Sequence, residues 1–167
     1  MQKLRAIDAT GARCLEFAIL TAGRSGEARG ACFNEIDWDA NVWSGPAERM
    51  KAKKEHRVPL STAAVTLLKS MPRSKDHDLI FPSPRGKVLS DMTLLMMVHR
   101  LRVYAVPHGF RSTFRDWAGE RTNYPRELAG VALAHVKGGT PGAFPGGGAA
   151  GSILGAAGAA GFVVVDY

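Results

Sequence analysis

Cysteine is scarce in this 167-residue chain, with only Cys14 and Cys32 present. Two thiols cannot build the multi-bridge framework of a small secreted scaffold, and no CxxC pair suggests a structural zinc site. The first residues, MQKLRAIDATGARC, lack the apolar stretch of a secretory signal. Aromatic residues make up 8% of the chain. Acidic residues are outnumbered, 15 against 22 Lys and Arg, for a net charge of +7 and a pI near 9.8. That balance favours a polyanionic partner, nucleic acid ahead of a membrane surface. With 46% hydrophobic and 22% charged residues, most of the chain is expected to fold around a core.

Charge is also missing from one end. All 22 basic residues lie at or before Lys137, with 14 of the 15 acids, so residues 1–137 carry +8 and residues 138–167 hold only Asp166. The segment 138–167 contains ten of the nineteen glycines and seven alanines. Glycine at that density disfavours a stable helix in water and reads as a low-complexity extension. Gly147, Gly151 and Gly155 fall in GxxxG spacing. Pro145 and the small number of strongly apolar residues nevertheless argue against a membrane-spanning helix. Two regions are therefore expected, a folded body over 1–137 and a Gly/Ala-rich tail over 138–167 that lies outside that fold.

The body reads as α+β, mainly helical with a small antiparallel hairpin. Leu15, Ile19 and Ala22 recur at helical spacing, which predicts a buried helix over 10–22. A short helix follows, then a turn at Asp39–Asn41 and a strand with Val42 and Trp43. KKEHRVPL is expected to pair with that strand across PAERMKAK. Ser61 and Ser90 are placed as N-caps of two helices, with LIFPSP as a short strand between them. A helix begins near His108 with Phe110, Phe114, Trp117 and Ala118 on its apolar face, and another begins at Pro125.

Four segments carry residues suited to binding or transforming a phosphate. In HGFR, His108 and Arg111 stand at i and i+3, with Arg115 one turn on. Their face is expected to oppose the aromatic stripe and project from the core, where arginine offers a planar fork to phosphate oxygens. An ordinary solvated basic face has the same pattern. In TAGRSGE, Arg24 sits at a helix boundary between Gly23 and Gly26, which would allow close backbone approach to a ligand, or would simply form a turn. The hairpin segment RMKAKKEHRVPL holds Arg49, Lys51, Lys53, Lys54 and Arg57 against one acid, Glu55. It is suited to tracking a nucleic acid backbone, or to keeping a sheet edge from aggregating. His135 in ALAHV closes an apolar helix, a position that also suits a helix C-terminal charge.

Taken in order, Arg24, Lys51, His108-x-x-Arg111 and His135 resemble the catalytic domain of the tyrosine recombinases, specifically the phage-type integrases. TAGRSGEARG is similar to that family's first arginine box, and AERMKAKKEHRVPLS to its lysine hairpin, with Lys51 eight residues before Pro59. VPHGFRSTFRDWAGE resembles its HxxR box and LAHV its second histidine box. The resemblance covers roughly residues 8–137. It implies the tyrosine-recombinase catalytic-domain fold and site-specific recombination or integration of double-stranded DNA by a phage or mobile element. It further implies that Arg24 and Arg111 clamp the scissile phosphate and that His108 and His135 donate hydrogen bonds or move protons there. In the same way it assigns Lys51 to protonation of the departing 5′-hydroxyl. Arg49, Lys53, Lys54, Arg57 and Arg115 are the expected DNA-backbone contacts. No metal or other cofactor is expected, self-association on DNA is, and the expected compartment is the bacterial cytoplasm.

The resemblance also exposes a departure. The family's tyrosine nucleophile stands about nine residues after the second histidine, in a segment like AYRRG. Here the segment reads AFPGG, and the position is Phe144, which has no hydroxyl to attack phosphorus. A shifted reading frame or rearrangement near Gly138 would produce both this change and the abrupt loss of charge. The chain also starts near the first catalytic helix, without the family's N-terminal DNA clamp, so binding is expected to be salt-sensitive and poorly sequence-selective. The alternatives are a catalytically inactive DNA-binding remnant of an integrase and, beyond it, a basic domain with no role on DNA. A type IB topoisomerase, which shares much of this chemistry, fits the HGFRSTFRDW wording less well.

Overall fold

One helix is buried on nearly every face, and the other elements are arranged around it. In the computed structural model, which describes residues 1–50, 53–121 and 133, this is α2 (Thr10–Leu20). Every residue from Cys14 to Ala22 on it and just beyond it is buried. Its sequence, TGARCLEFAIL, has no broad polar face, as expected of a helix wrapped by protein. Helices α1 (Gln2–Arg5) and α3 (Ser25–Arg29) flank it in the chain. α4 (Thr62–Ser70) and α5 (Thr93–Arg100) pack across it, and α6 (Gly109–Arg121) closes the described body. Gly11 lets α5 approach, since a Cβ there would lie 2.8 Å from the Thr93 methyl.

Burying α2 also buries Glu16, which is 3% exposed. Its charge is met by Arg5 at 2.6 Å and by Arg13, one helical turn away, at 3.1 Å. Arg13 also donates to the Leu4 carbonyl at 2.8 Å. A buried carboxylate is tolerated only with such partners, and here they fasten α1 to α2.

The sheet has three antiparallel strands in the order β1 (Ile36–Asp37), β2 (Val42–Gly45) and β3 (His56–Pro59). Trp43 stands opposite both Ile36 and Val58, and all three are buried on one face. Arg57, next in alternation, points outward. Trp43 rests on Phe17 of α2 with ring centroids 5.0 Å apart, and Phe17 meets Phe81 at 5.4 Å. This aromatic chain joins sheet, central helix and the 78–82 segment.

The expected α+β architecture is observed, as are the 42–59 hairpin and the Ser61 cap, whose hydroxyl accepts from the Ala64 N–H at 3.3 Å. Other expectations are corrected. The central helix ends at Leu20, because Ala22 takes a left-handed conformation (φ 48) that stops it. LIFPSP is not a strand, and only the isolated bridges Cys32–Leu79 and Pro82–Val88 form around it. Ser90 does not cap α5. The helix starts at Thr93, and the Ser90 hydroxyl pairs with the Thr93 hydroxyl at 3.0 Å. Strand β1 had no separate signal, being only two residues long. The expected helix at Pro125 and the tail 138–167 lie outside the described residues. Among those described, no helix is long and apolar enough to cross a membrane.

Phe17→Ala removes the ring that both Trp43 and Phe81 pack against. It is expected to lower the unfolding free energy by about 3–5 kcal/mol, read as a fall in the urea midpoint with little change in slope.

Candidate phosphate site

The site grows from the way α2 stops. Ala22 N–H bonds to the Ile19 carbonyl at 3.2 Å and Gly23 N–H to the Ala18 carbonyl at 3.0 Å. This is the paired pattern that ends a helix with a left-handed residue. Alanine rather than glycine occupies that left-handed position, at a cost of about 1 kcal/mol. Gly23 and Gly26, expected to allow close approach to a ligand or simply to form a turn, have no positive φ. The turn carries the chain outward so that Arg24 becomes the N-cap of α3, with extended backbone.

Glu27 then holds Arg24 at both ends. One carboxylate oxygen accepts from the Arg24 backbone N–H at 3.1 Å, and the other lies 2.6 Å from Arg24 Nη1. Glu27 is 4% exposed, so the pair is largely shielded from water. Sequence reasoning passed over this residue. The signal was available, because a Glu three positions after a helix start is the capping-box pattern.

Arg111 corrects the sequence reading. Its helix α6 does present Phe114 and Ala118 to the core, but Arg111 lies on that same face, at i−3 and i−7 to them, and is only 4% exposed. Its guanidinium donates through Nη1 to the Ala22 carbonyl and through Nη2 to the Leu133 carbonyl at 2.5 Å. Helical spacing permits either orientation, and the two inward carbonyls decide it. Burial lowers the Arg111 pKa to about 10, with repulsion from Arg24 adding to the shift and Glu27 opposing it. The group therefore remains a cation at neutral pH. Among the described residues, two guanidinium charges share this corner with one carboxylate, leaving a net positive charge.

The remaining expected residues divide. His108 is exposed at the start of α6, where its carbonyl accepts from the Arg111 N–H at 3.2 Å. The two residues are thus one turn apart, with one facing out and the other in. Lys53, Lys54 and Arg57 are exposed on the hairpin, and Lys53 is left-handed with φ 50. Arg115 is exposed and lies 3.7 Å from its neighbour Asp116. Arg49 is turned inward onto Glu35 at 2.5 Å and onto the Gly30 carbonyl. Lys51, His135 and Phe144 lie outside the described residues. Among those described, no three His, Cys, Asp or Glu side chains gather as a metal site.

Arg111→Met leaves two inward carbonyls without donors, and is expected to destabilise the fold by about 2–4 kcal/mol. Arg115→Ala, on the open face of the same helix, is expected to stay within about 0.5 kcal/mol of the parent. Urea denaturation followed by tryptophan fluorescence separates the two. Equal effects would contradict the inward placement.

Comparison with known proteins identifies the family and the fold. Residues 1–135 match the sequence profile of the phage integrase family. The chain is 37% identical over 130 residues to the prophage integrase IntA of Escherichia coli (strain K12), a match covering 74% of this chain and 31% of the relative. It is 35% identical over 140 residues to the integrase of enterobacteria phage P4, covering 72% of this chain and 32% of that one. The chain thus spans about a third of the length of these curated relatives. Its fold is similar to that of the Tn1549 transposon integrase, solved in complex with circular intermediate DNA. The TM-score is 0.57 at 12% identity, over 77% of this chain and 50% of the other. A profile running through most of the sequence, and a fold shared with a solved integrase, mean that the chain belongs to the phage integrase family and has the catalytic-domain fold of the tyrosine recombinases.

Proposed function

We propose that this chain is the phosphate-engaging part of a site-specific DNA recombinase, and that as written it binds double-stranded DNA without breaking it. The observation that carries the reading is the corner where Arg24 and the buried Arg111 lie together, with Glu27 paired to Arg24. A backbone phosphate placed there meets one guanidinium at the surface and a second cationic charge beneath it. That arrangement is matched to the extra negative charge of a pentavalent phosphorus transition state. On the family resemblance, His108, exposed at the start of α6, would donate to the same anion. Lys53, Lys54 and Arg57 supply further charge along the hairpin.

The assignments of Lys51 as proton donor to the departing 5′ oxygen and of His135 as a second hydrogen-bonding group rest on the family resemblance, residue by residue. So does Phe144 as the nucleophile position. With phenylalanine there, no P–O bond to the protein forms, and the phosphodiester stays intact. Recombination itself would further require self-association on DNA.

Titration of a labelled duplex tests the binding reading. The chain is expected to bind with a log–log salt slope of order −4, as about five phosphate contacts would give. Arg24→Ala is expected to weaken binding about tenfold or more at low salt. Unchanged affinity would overturn the clamp. On a nicked duplex the parent is expected to give no covalent adduct on a denaturing gel, whereas Phe144→Tyr gives one if the missing hydroxyl is the sole defect. An adduct from the parent chain would overturn the assignment of Phe144.

A further inference from the structure

Lys51 belongs by sequence to residues 46–55, which connect β2 to β3. A lysine can act at a phosphate only if its ammonium is kept within hydrogen-bond reach, and a connection of this length does not by itself keep a side chain in place. The residues immediately before Lys51 are anchored in an unusual way.

Arg49 turns back onto the body of the domain. Its Nη1 donates to the Gly30 carbonyl at the end of α3, and its Nη2 lies 2.5 Å from Glu35 Oε2. The same Glu35 oxygen accepts from Trp43 Nε1 at 2.9 Å. Trp43 is 1% exposed and packed on Phe17, so Glu35 is tied to the core. Gly30 makes room for the arrangement, since a Cβ there would stand 3.2 Å from Arg49 Cδ. Met50 is buried as well, against Gly45 of β2. Backbone bonds from Arg49 N–H to the Pro46 carbonyl and from Met50 N–H to the Ala47 carbonyl, both 3.1 Å, complete the turn.

This pattern differs from that of a surface arginine awaiting a phosphate. The Arg49 side chain is 27% exposed and that of Glu35 11%, so the charge is largely neutralised inside the protein. An exposed ion pair contributes little, but a shielded pair that also holds a carbonyl and a buried indole is costly to break at one end.

We propose that Arg49, held by Glu35 and the Gly30 carbonyl, is a positioning residue that fixes the base of the connection carrying Lys51, and is not a DNA-backbone ligand. Lys51 follows Arg49 by two peptide bonds and the buried Met50 by one. The link to catalysis rests on the reading of Lys51 as the proton donor, whereas the anchorage itself does not.

Endoproteinase Lys-C cuts only after lysine, so the parent, Arg49→Gln and Glu35→Gln chains present it with identical sites. Without DNA, both substitutions are expected to speed cleavage after Lys51, Lys53 and Lys54 about tenfold relative to Lys69, Lys75 and Lys87 in the same chain. Equal acceleration at all six lysines would mean general loss of stability and would overturn the proposal, as would no acceleration. It would also fall if the connection stayed protected while Arg49→Gln weakened duplex binding and Glu35→Gln strengthened it, the behaviour of a direct DNA ligand. None of these readings involves strand cleavage, so they stand even if the recombinase reading fails.

The connection to Lys51 has its own readout in the Phe144→Tyr background. Arg49→Gln is expected to slow adduct formation about tenfold or more on an ordinary nicked duplex. It should have little effect when the bridging 5′ oxygen is replaced by sulfur, because a thiolate departs without a proton. Equal slowing on both substrates would refute action through Lys51.

Discussion

Everything in this domain follows from enclosing α2 on nearly all sides. Its C-terminal half is wholly buried, so it ends inside the protein and its last carbonyls must find partners there. The chain meets this demand with a left-handed alanine at position 22, which satisfies two carbonyls of the last turn and redirects the backbone. The carbonyl of Ala22 is itself buried and is met by the Arg111 guanidinium from α6. The place where the central helix stops is therefore also where Arg24 leaves the core and where Arg111 enters it.

Arg111 thus has a structural and an electrostatic role that cannot be separated by truncating it. Burying a guanidinium is unfavourable unless its N–H groups are satisfied, and the Ala22 and Leu133 carbonyls satisfy two of them. Carbonyls accept hydrogen bonds without cancelling the charge, so the corner keeps a cation that a buried carboxylate would have neutralised. Glu27 is directed instead to Arg24, the more exposed of the pair. This division leaves positive potential under the surface and a positioned fork at it. Truncating Arg24 strips the buried Glu27 of its partner, so Arg24 variants, like Arg111 variants, report on folding as well as on phosphate binding.

The hairpin shows the same economy in another form. Of the five cationic residues that read alike in RMKAKKEHRVPL, Lys53, Lys54 and Arg57 stay in solvent, while Arg49 is drawn onto Glu35 and Gly30. Glu35 lies fourteen positions earlier, and nothing in the local pattern marks it as the partner. Composition along the segment reports the total charge, but not which charges remain available to an external anion.

Local rules carried much of the fold. Periodicity placed α2 and α6, alternation and turn residues placed the β2–β3 hairpin, and Ser61 marked its own helix start, because each depends on residues a few positions apart. The order of Arg24, Lys51, His108, Arg111 and His135 within four recognisable boxes was enough to indicate the family. What the sequence could not determine was direction and partnership. Whether Arg111 faces water or core depends on two carbonyls, 89 and 22 residues away in the chain. Whether LIFPSP becomes a strand depends on what lies beside it, and whether Ser90 caps a helix depends on where α5 can start against Gly11. Residue types and their spacing define the available chemistry; only the packed chain, by bringing distant carbonyls and carboxylates to particular cations, decides which of those groups hold the fold together and which are left to meet a phosphate.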